Sequence, residues 1–183
     1  QKRLSNINFK AGIFTNFSQD HLDYHKSMHR YLKAKLCLFN KILLTKKTII
    51  SDEGSNVYSG LKKISKKRNL NIRNISLIEK KLHNQLSKKF NEFQIKNLAM
   101  AILAAKICKV KEKKIFSSLK KIKSVNGRLE LVRTFPNNIK VYVDFAHTPD
   151  ALNKSIKSLK GEENKNISLV FGCGGDRDFK KRP

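Results

Sequence analysis

Two apolar runs that stop abruptly in polar residues constrain this chain more than any other feature. The first is Val141-Tyr-Val-Asp-Phe-Ala-His-Thr-Pro-Asp-Ala-Leu152, the second Leu169-Val-Phe-Gly-Cys-Gly-Gly-Asp-Arg-Asp178. Each opens like a buried β-strand and ends in groups able to bind a ligand. An α/β sheet presents its binding groups in this way, at the carboxyl ends of its strands. Between the runs, Thr148-Pro149-Asp150 reads as a helix start, with a Thr N-cap, Pro at the first helical position and an acid in the first turn. That helix runs to about Leu159. The order strand Lys140–Asp144, helix, strand Ile167–Phe171 favours a parallel sheet. The expected fold class is α/β.

Upstream, a short strand is expected within Asn8–Phe14, a helix from Met28 to about Leu44 and a strand at Thr48–Ser51. A helix over Asn56–Lys67 and a strand with loops over Leu70–Ile78 follow. A long helix from about Gln94 to Ile107 carries Leu98, Ala101, Ile102 and Ala105 on one face, and Lys111–Ile122 reads as a shorter helix. Lys123-Ser-Val-Asn-Gly127 is short, polar and glycine-ended, as domain boundaries are. It divides the chain into domains 1–123 and 124–183, with a further strand expected at Arg128–Thr134.

The formal net charge of +26, from 40 Lys and Arg against 14 Asp and Glu, taken alone suggests a polyanion partner. The basic residues, however, are mostly lysines in scattered pairs such as Lys62-Lys63, Lys80-Lys81 and Lys120-Lys121. A nucleic-acid site would cluster them and interleave aromatics or arginines. Solvated faces under a compositional drift toward Lys, Asn and Ile account better for the charge. Three separated cysteines without a CxxC pair argue for a reducing, cytoplasmic setting and against a disulfide framework or zinc site. No apolar run approaches the roughly 20 residues that cross a bilayer, and no signal peptide is visible. The chain opens without Met and closes just after a functional-looking loop, so it reads as an internal fragment of a longer protein.

On a helical wheel, Met28, Leu32, Leu36, Phe39 and Leu43 share one side, with Lys35 in the middle of that stripe and Lys33 pointing away. Two readings stay open for Lys35. It can snorkel along the stripe to water, or burial can favour the neutral amine, which adds carbon dioxide to give an anionic carbamate. His21 and His25 are spaced like a transition-metal pair, without an evident third ligand. Asp144, at a strand end, can accept hydrogen bonds from ribose hydroxyls. By themselves Asn97 and Arg128 read as surface residues, and Gly172-Cys-Gly-Gly lacks the third glycine of a dinucleotide fingerprint.

Taken together, Asp20-His-Leu-Asp-Tyr-His25, Phe93-Gln-Ile-Lys-Asn97, Asn126-Gly-Arg128, Asp144-Phe-Ala-His147 and Gly172-Cys-Gly-Gly-Asp-Arg-Asp178 resemble the Mur ligases over nearly the whole chain. The resemblance implies the end of a P-loop-type central ATP-binding domain followed by the start of a Rossmann-like, amino-acid-binding C-terminal domain. It implies a magnesium (Mg2+) ligand at His21, a carbamylated Lys35 that also faces metal, and nucleotide contacts from Asn97, Arg128 and Asp144. It also implies that His147 helps organise the same site, that Arg177 holds the carboxylate of the incoming amino acid, and that Lys181 is an essential basic residue. The sequence departs from the family wording at Gln94, Phe145 and Phe179-Lys180.

The implied reaction is ATP-dependent amide formation that adds a third amino acid, meso-diaminopimelate by the Gly-Gly-Asp-Arg-Asp wording, to UDP-N-acetylmuramoyl-L-alanyl-D-glutamate, the UDP-MurNAc-dipeptide. ATP phosphorylates a carboxylate, and the amine attacks the acyl phosphate. A monomer is expected, with no specific nucleic-acid partner and no membrane insertion. The phosphate-binding loop and UDP-sugar domain would precede residue 1, so these 183 residues alone are expected to be inactive. The alternatives are a sibling ligase that adds D-Ala-D-Ala or glutamate to folate, and a basic nucleic-acid-binding module. The last separates by measurement: filter binding to DNA or RNA is expected to be weak and sequence-independent, whereas tight, steeply salt-dependent binding would favour the nucleic-acid module.

Overall fold

A computed structural model describes residues 7–87, 89–123, 125–160 and 166–172. In chain order the elements are β1 (Ala11–Phe14), α1 (Leu22–His25), α2 (Met28–Cys37), a π turn (Leu38–Ile42), β2 (Thr48–Ser51), α3 (Tyr58–Arg68) and β3 (Asn71–Asn74). There follow α4 (Ser76–Leu86), α5 (Glu92–Ile107), α6 (Glu112–Leu119), β4 (Glu130–Thr134), a 3-10 turn (Pro136–Asn138), β5 (Lys140–Val143) and α7 (Pro149–Lys160). The chain separates into two compact units, residues 1–17 with 25–119, and residues 18–24 with 120–183.

The first unit is built on a parallel sheet in the order β1-β2-β3. The central strand is the most apolar stretch of the sheet, and Ile49 and Ile50 are both completely buried. Alternating side chains face opposite ways on a strand, so each isoleucine enters a different layer. Ile49 joins a cluster with Phe14, Phe39, Leu43, Val57, Leu61 and Leu70, the side on which α3 and the π turn lie. Against β1 and β2 also rests α5, which buries Ile95, Ala99, Met100 and Ile102 and packs on α4. This is the layered α/β arrangement expected when helices cover both faces of a parallel sheet.

Local chemistry sets the ends of these elements. Ser27 caps α2 by accepting a bond from Arg30 N at 3.2 Å. The π turn closes with Leu43 N on Leu38 O at 2.7 Å, and the extra residue lets Phe39 and Leu43 both reach the core. Asn69, at φ 49°, ends α3 in the left-handed conformation that Asn tolerates. Asn91 and Gln94 form a full capping box at the start of α5, at 3.0 and 3.1 Å.

Two expectations are corrected here. Within Leu70–Ile78, read as a strand with loops, the strand is Asn71–Asn74, and residues 76–78 begin the helix α4 behind the cap Ile75. Ile75 and Leu82, seven apart, are both fully buried, a helical spacing that a short apolar run disguised as a strand. The expected strand Ile167–Phe171 has no ladder partner among the described residues and joins no described sheet. An apolar run needs a neighbouring strand to satisfy its backbone, and Val170 is 97% exposed. The described sheet of the second unit is therefore the antiparallel pair β4–β5 with a bulge between Leu131 and Arg133, not the parallel sheet expected after residue 139.

A close approach holds the first unit together. A Cβ built on Gly12 of β1 would meet Phe39 Cε1 at 2.8 Å, and the Phe39 ring is 1% exposed and cannot swing away. Gly12→Ala is expected to cost about 1–3 kcal/mol by overpacking. Urea denaturation checks it, and trimming the ring in Gly12→Ala/Phe39→Leu should recover part of the loss.

Candidate functional site

The candidate residues fall in both units. In the first unit, Lys35 is turned inward and half-buried, while Lys33 is exposed. Its Nζ donates to the Asn16 carbonyl at 3.1 Å and lies 5.2 Å from the Tyr31 ring centroid and 5.6 Å from that of Phe14. Tyr31, 8% exposed, stacks on His25 at 5.0 Å and meets Phe17 at 5.4 Å. The amine thus sits against two aromatic rings and a backbone carbonyl, at a half-buried position. A carbamate keeps one N–H, so the bond to Asn16 survives carbamylation, whereas the attraction of a cation to the two ring faces does not.

Asn97 is exposed on the second turn of α5. Gln94, in the position where the family wording has an asparagine, accepts Asn91 N through its side-chain oxygen in the capping box. That oxygen helps to fix the start of the helix. Next to Asn97, Lys96 binds Asp52 Oδ2 at 3.0 Å, with Glu92 at 3.5 Å and Glu79 at 3.9 Å. This network joins the carboxyl end of β2 to α4 and α5, and sequence reasoning did not find it. Partial burial pulls the Lys96 ammonium down, but the Asp52 bond and the three carboxylate charges outweigh it and leave its pKa above the usual lysine value. Glu79 is held above its ordinary value, chiefly by burial, against the opposing pull of Lys96.

In the second unit, His21 and His147 meet at one carboxylate. Asp20 Oδ1 accepts His21 N at 2.8 Å. Its Oδ2 lies 3.4 Å from His21 Nε2 and 3.8 Å from His147 Nε2. His21 has φ 54°, an uncommon conformation for a non-glycine residue. His147 is oriented by the Phe145 carbonyl, 2.9 Å from Nδ1, and its ring meets Phe145 edge-on at 5.2 Å. On the same ring, the Arg128 guanidinium stacks at 4.7 Å, and Phe145 N bonds the Gly127 carbonyl at 2.8 Å. Asp144 accepts a hydrogen bond from Ser155 Oγ of α7 through Oδ2. One short loop therefore brings Arg128, Asp144 and His147 together, with Asp20 and Ser155 as partners that motif reading passed over. Asp20 was legible in principle, since it opens the quoted histidine motif. Arg177 and Lys181, with the glycine loop after Gly172, lie outside the described residues.

The family described as Mur ligase middle domain matches residues 1–126, and the family described as Mur ligase, glutamate ligase domain matches residues 127–183. The chain belongs to the Mur ligase family. It is 36% identical to the UDP-N-acetylmuramoyl-L-alanyl-D-glutamate--2,6-diaminopimelate ligase of Wigglesworthia glossinidia brevipalpis, covering 100% of the chain and 41% of that protein. The ligase of the same name from Oceanobacillus iheyensis is 36% identical over 99% of the chain and 42% of its own length. The chain thus spans about two fifths of the length of these relatives. A crystal structure of MurF from Acinetobacter baumannii shares the fold at TM-score 0.63 and 12% identity, over 84% of this chain and 38% of that one. A structure of a UDP-N-acetylmuramoyl-L-alanyl-D-glutamate--2,6-diaminopimelate ligase does so at TM-score 0.59 and 23% identity, over 98% and 41%. No helix among the described residues is long and apolar enough to cross a membrane.

The edge of the Mur ligase middle domain also makes a pH prediction. Glu53 accepts a bond from Ser76 Oγ at 2.5 Å, and that bond, with a contribution from Asn74, holds its pKa below the ordinary 4.5. A depressed carboxylate stabilises the folded state above its unfolded pKa and loses that contribution as pH falls through the folded value. Glu53→Gln is expected to flatten the fall of Tm with acidity below pH 4.5 and to leave its slope near neutrality unchanged, read by thermal scans across pH.

Proposed function

We propose that this chain is part of an ATP-dependent ligase that adds meso-diaminopimelate to UDP-N-acetylmuramoyl-L-alanyl-D-glutamate in peptidoglycan precursor synthesis. The observation that supports this best is the loop of the second unit that gathers Arg128, Asp144 and His147 around Phe145. The names of the relatives supply the substrates. Residues 1–123 are assigned to the ATP-binding domain and 124–183 to the amino-acid-binding domain.

The chemistry follows from the side chains. A carboxylate of the dipeptide attacks the γ-phosphorus of ATP, giving an acyl phosphate and ADP. The amine of the incoming amino acid attacks the acyl carbon, and the tetrahedral intermediate expels phosphate. Arg128 suits phosphate oxygens, because its guanidinium is permanently charged and forked, and stacking on Phe145 holds that fork before nucleotide arrives. Asp144 accepts from the ribose hydroxyls, and Asn97 offers an amide to the nucleotide. His147, with its Nδ1 at the Phe145 carbonyl, keeps its ring in one orientation. Arg177 is assigned to the amino acid carboxylate and Lys181 to the same end of the reaction.

Magnesium is the implied metal, and the donors fit it in a limited way. No group of three or more His, Cys, Asp or Glu side chains among the described residues forms a cage, in keeping with an ion that takes most of its ligands from water and phosphate. His21 is assigned as a ligand through its ring nitrogen, and Lys35 as a ligand through a carbamate oxygen. A magnesium ion held by these groups would supply neutralisation of phosphate charge for phosphoryl transfer.

The test uses the complete reading frame that carries this chain. Phosphate release is followed with ATP, magnesium and the UDP-MurNAc-dipeptide, with meso-diaminopimelate or L-lysine in parallel. Release that depends on meso-diaminopimelate is expected, and release with L-lysine alone would reassign the substrate. Lys35→Arg keeps a cation near both rings and cannot form a carbamate. It is expected to lower kcat at least about 100-fold with Tm unchanged, the scale of one lost transition-state contact. Full activity in that variant would remove the carbamate from the scheme.

A further inference from the structure

Along α7 the one buried residue is Ser155, at 8% exposure. Leu152, Ile156 and Leu159 on the same helix are only half-buried. An amphipathic helix turns its apolar stripe inward, so a serine at the most enclosed position breaks the pattern. A buried hydroxyl costs free energy unless it is hydrogen-bonded, and a mid-helix serine ordinarily bonds the carbonyl one turn back. Ser155 Oγ instead donates to Asp144 Oδ2 at the end of β5. A bond to a carboxylate is about twice as strong as one between neutral groups.

The rest of the loop is already fixed. Phe145 N is tied to the Gly127 carbonyl and His147 Nδ1 to the Phe145 carbonyl. Buried Thr148 caps α7 by accepting from Ala151 N at 3.3 Å. The freedom that these ties leave is rotation of the Asp144 carboxylate about its own side-chain torsions. We propose that Ser155 is a positioning residue for nucleotide binding: it holds Asp144 by Oδ2 so that Oδ1 is presented to the ribose hydroxyls. The role rests on the assignment of Asp144 to the nucleotide made above. A site works when the side chain that meets the ligand is locked by a second one behind it.

The experiment is a double-mutant cycle in the complete reading frame, with Ser155→Ala, Asp144→Asn and the pair together. The KM for ATP, the KM for the amino acid and Tm are read for each. Alanine fits the space and favours helix, so folding is retained. Ser155→Ala is expected to raise the KM for ATP about tenfold and leave the KM for the amino acid within about twofold. In the Asp144→Asn background, the same change is expected to add nothing further, because the two residues act as one unit. An unchanged KM for ATP in Ser155→Ala, alongside a raised one in Asp144→Asn, overturns the role of Ser155 and leaves the nucleotide reading standing. Additive effects, or equal effects on both KM values, make Ser155 merely structural and likewise overturn the proposal. An unchanged KM for ATP in Asp144→Asn overturns the nucleotide assignment, and the proposal with it.

Discussion

The first unit depends on one strand being buried on both faces. In β2, Ile49 and Ile50 point to opposite sides and neither touches water. Burying two such side chains stabilises by about 1.5–3 kcal/mol each, but only if helices cover both faces of the sheet. That requirement makes β1 and β3 parallel neighbours, joined to β2 through helices, since a parallel connection needs a crossover. It also fixes which edge carries the polar network. Asp52 directly follows β2, and Lys96 meets it from the start of α5, one residue before Asn97. The apolar interior of the strand and the polar network at its end are two consequences of one direction of the chain.

The elements of this unit were legible because their periods were clean. The helix after Ser27, the strand Thr48–Ser51 and the helix that ends at Ile107 appear close to where spacing placed them. The π turn was not legible, since no residue type encodes it; it follows from the need to bury both Phe39 and Leu43. The helix α4 was missed because Leu70, Ile72, Ile75, Leu77 and Ile78 form a run that fits either period. What decides between them is tertiary: Ile75 and Leu82 find buried surface together. In the second unit, strand character in residues 167–171 was read from composition, yet a strand exists only with a partner. Leu169 and Phe171 are about as exposed as the apolar residues of β4 and β5.

For the candidate site, motif wording located single residues but not their partners. Lys35, His21, Arg128, Asp144 and His147 could be named from the chain alone. Ser155, Lys96 and Asp52 could not, because each acts through a contact distant in sequence or through a side chain whose ordinary role is bland, whereas Asp20 stands inside the quoted histidine motif. Ser155 shows the difference most clearly. In the sequence it is a small polar residue in an amphipathic helix, and its meaning comes from where that helix turns it. The substitution at Phe145 is the reverse case. A lost hydroxyl looked like a departure, but the ring is what Arg128 and His147 both use.

The large positive charge takes on a different sense beside these contacts. With 14 acids against 40 lysines and arginines, the carboxylates are the scarce charge of this chain. If acids were placed only for solubility, they would lie scattered on exposed faces like the lysines. Instead Asp52, Glu79 and Glu92 converge on Lys96, Glu53 is tied to Ser76, and Glu130 accepts from Gly127 N at 2.6 Å. Asp20 faces two histidines, and Asp144 is held by Ser155. Surface charge of one sign changes solubility and non-specific association more than fold, so lysines can accumulate with little consequence. The acids cannot drift in the same way, because removing one strands a bonded partner. In this chain the scarce charge, not the abundant one, marks the positions where structure and chemistry are specified.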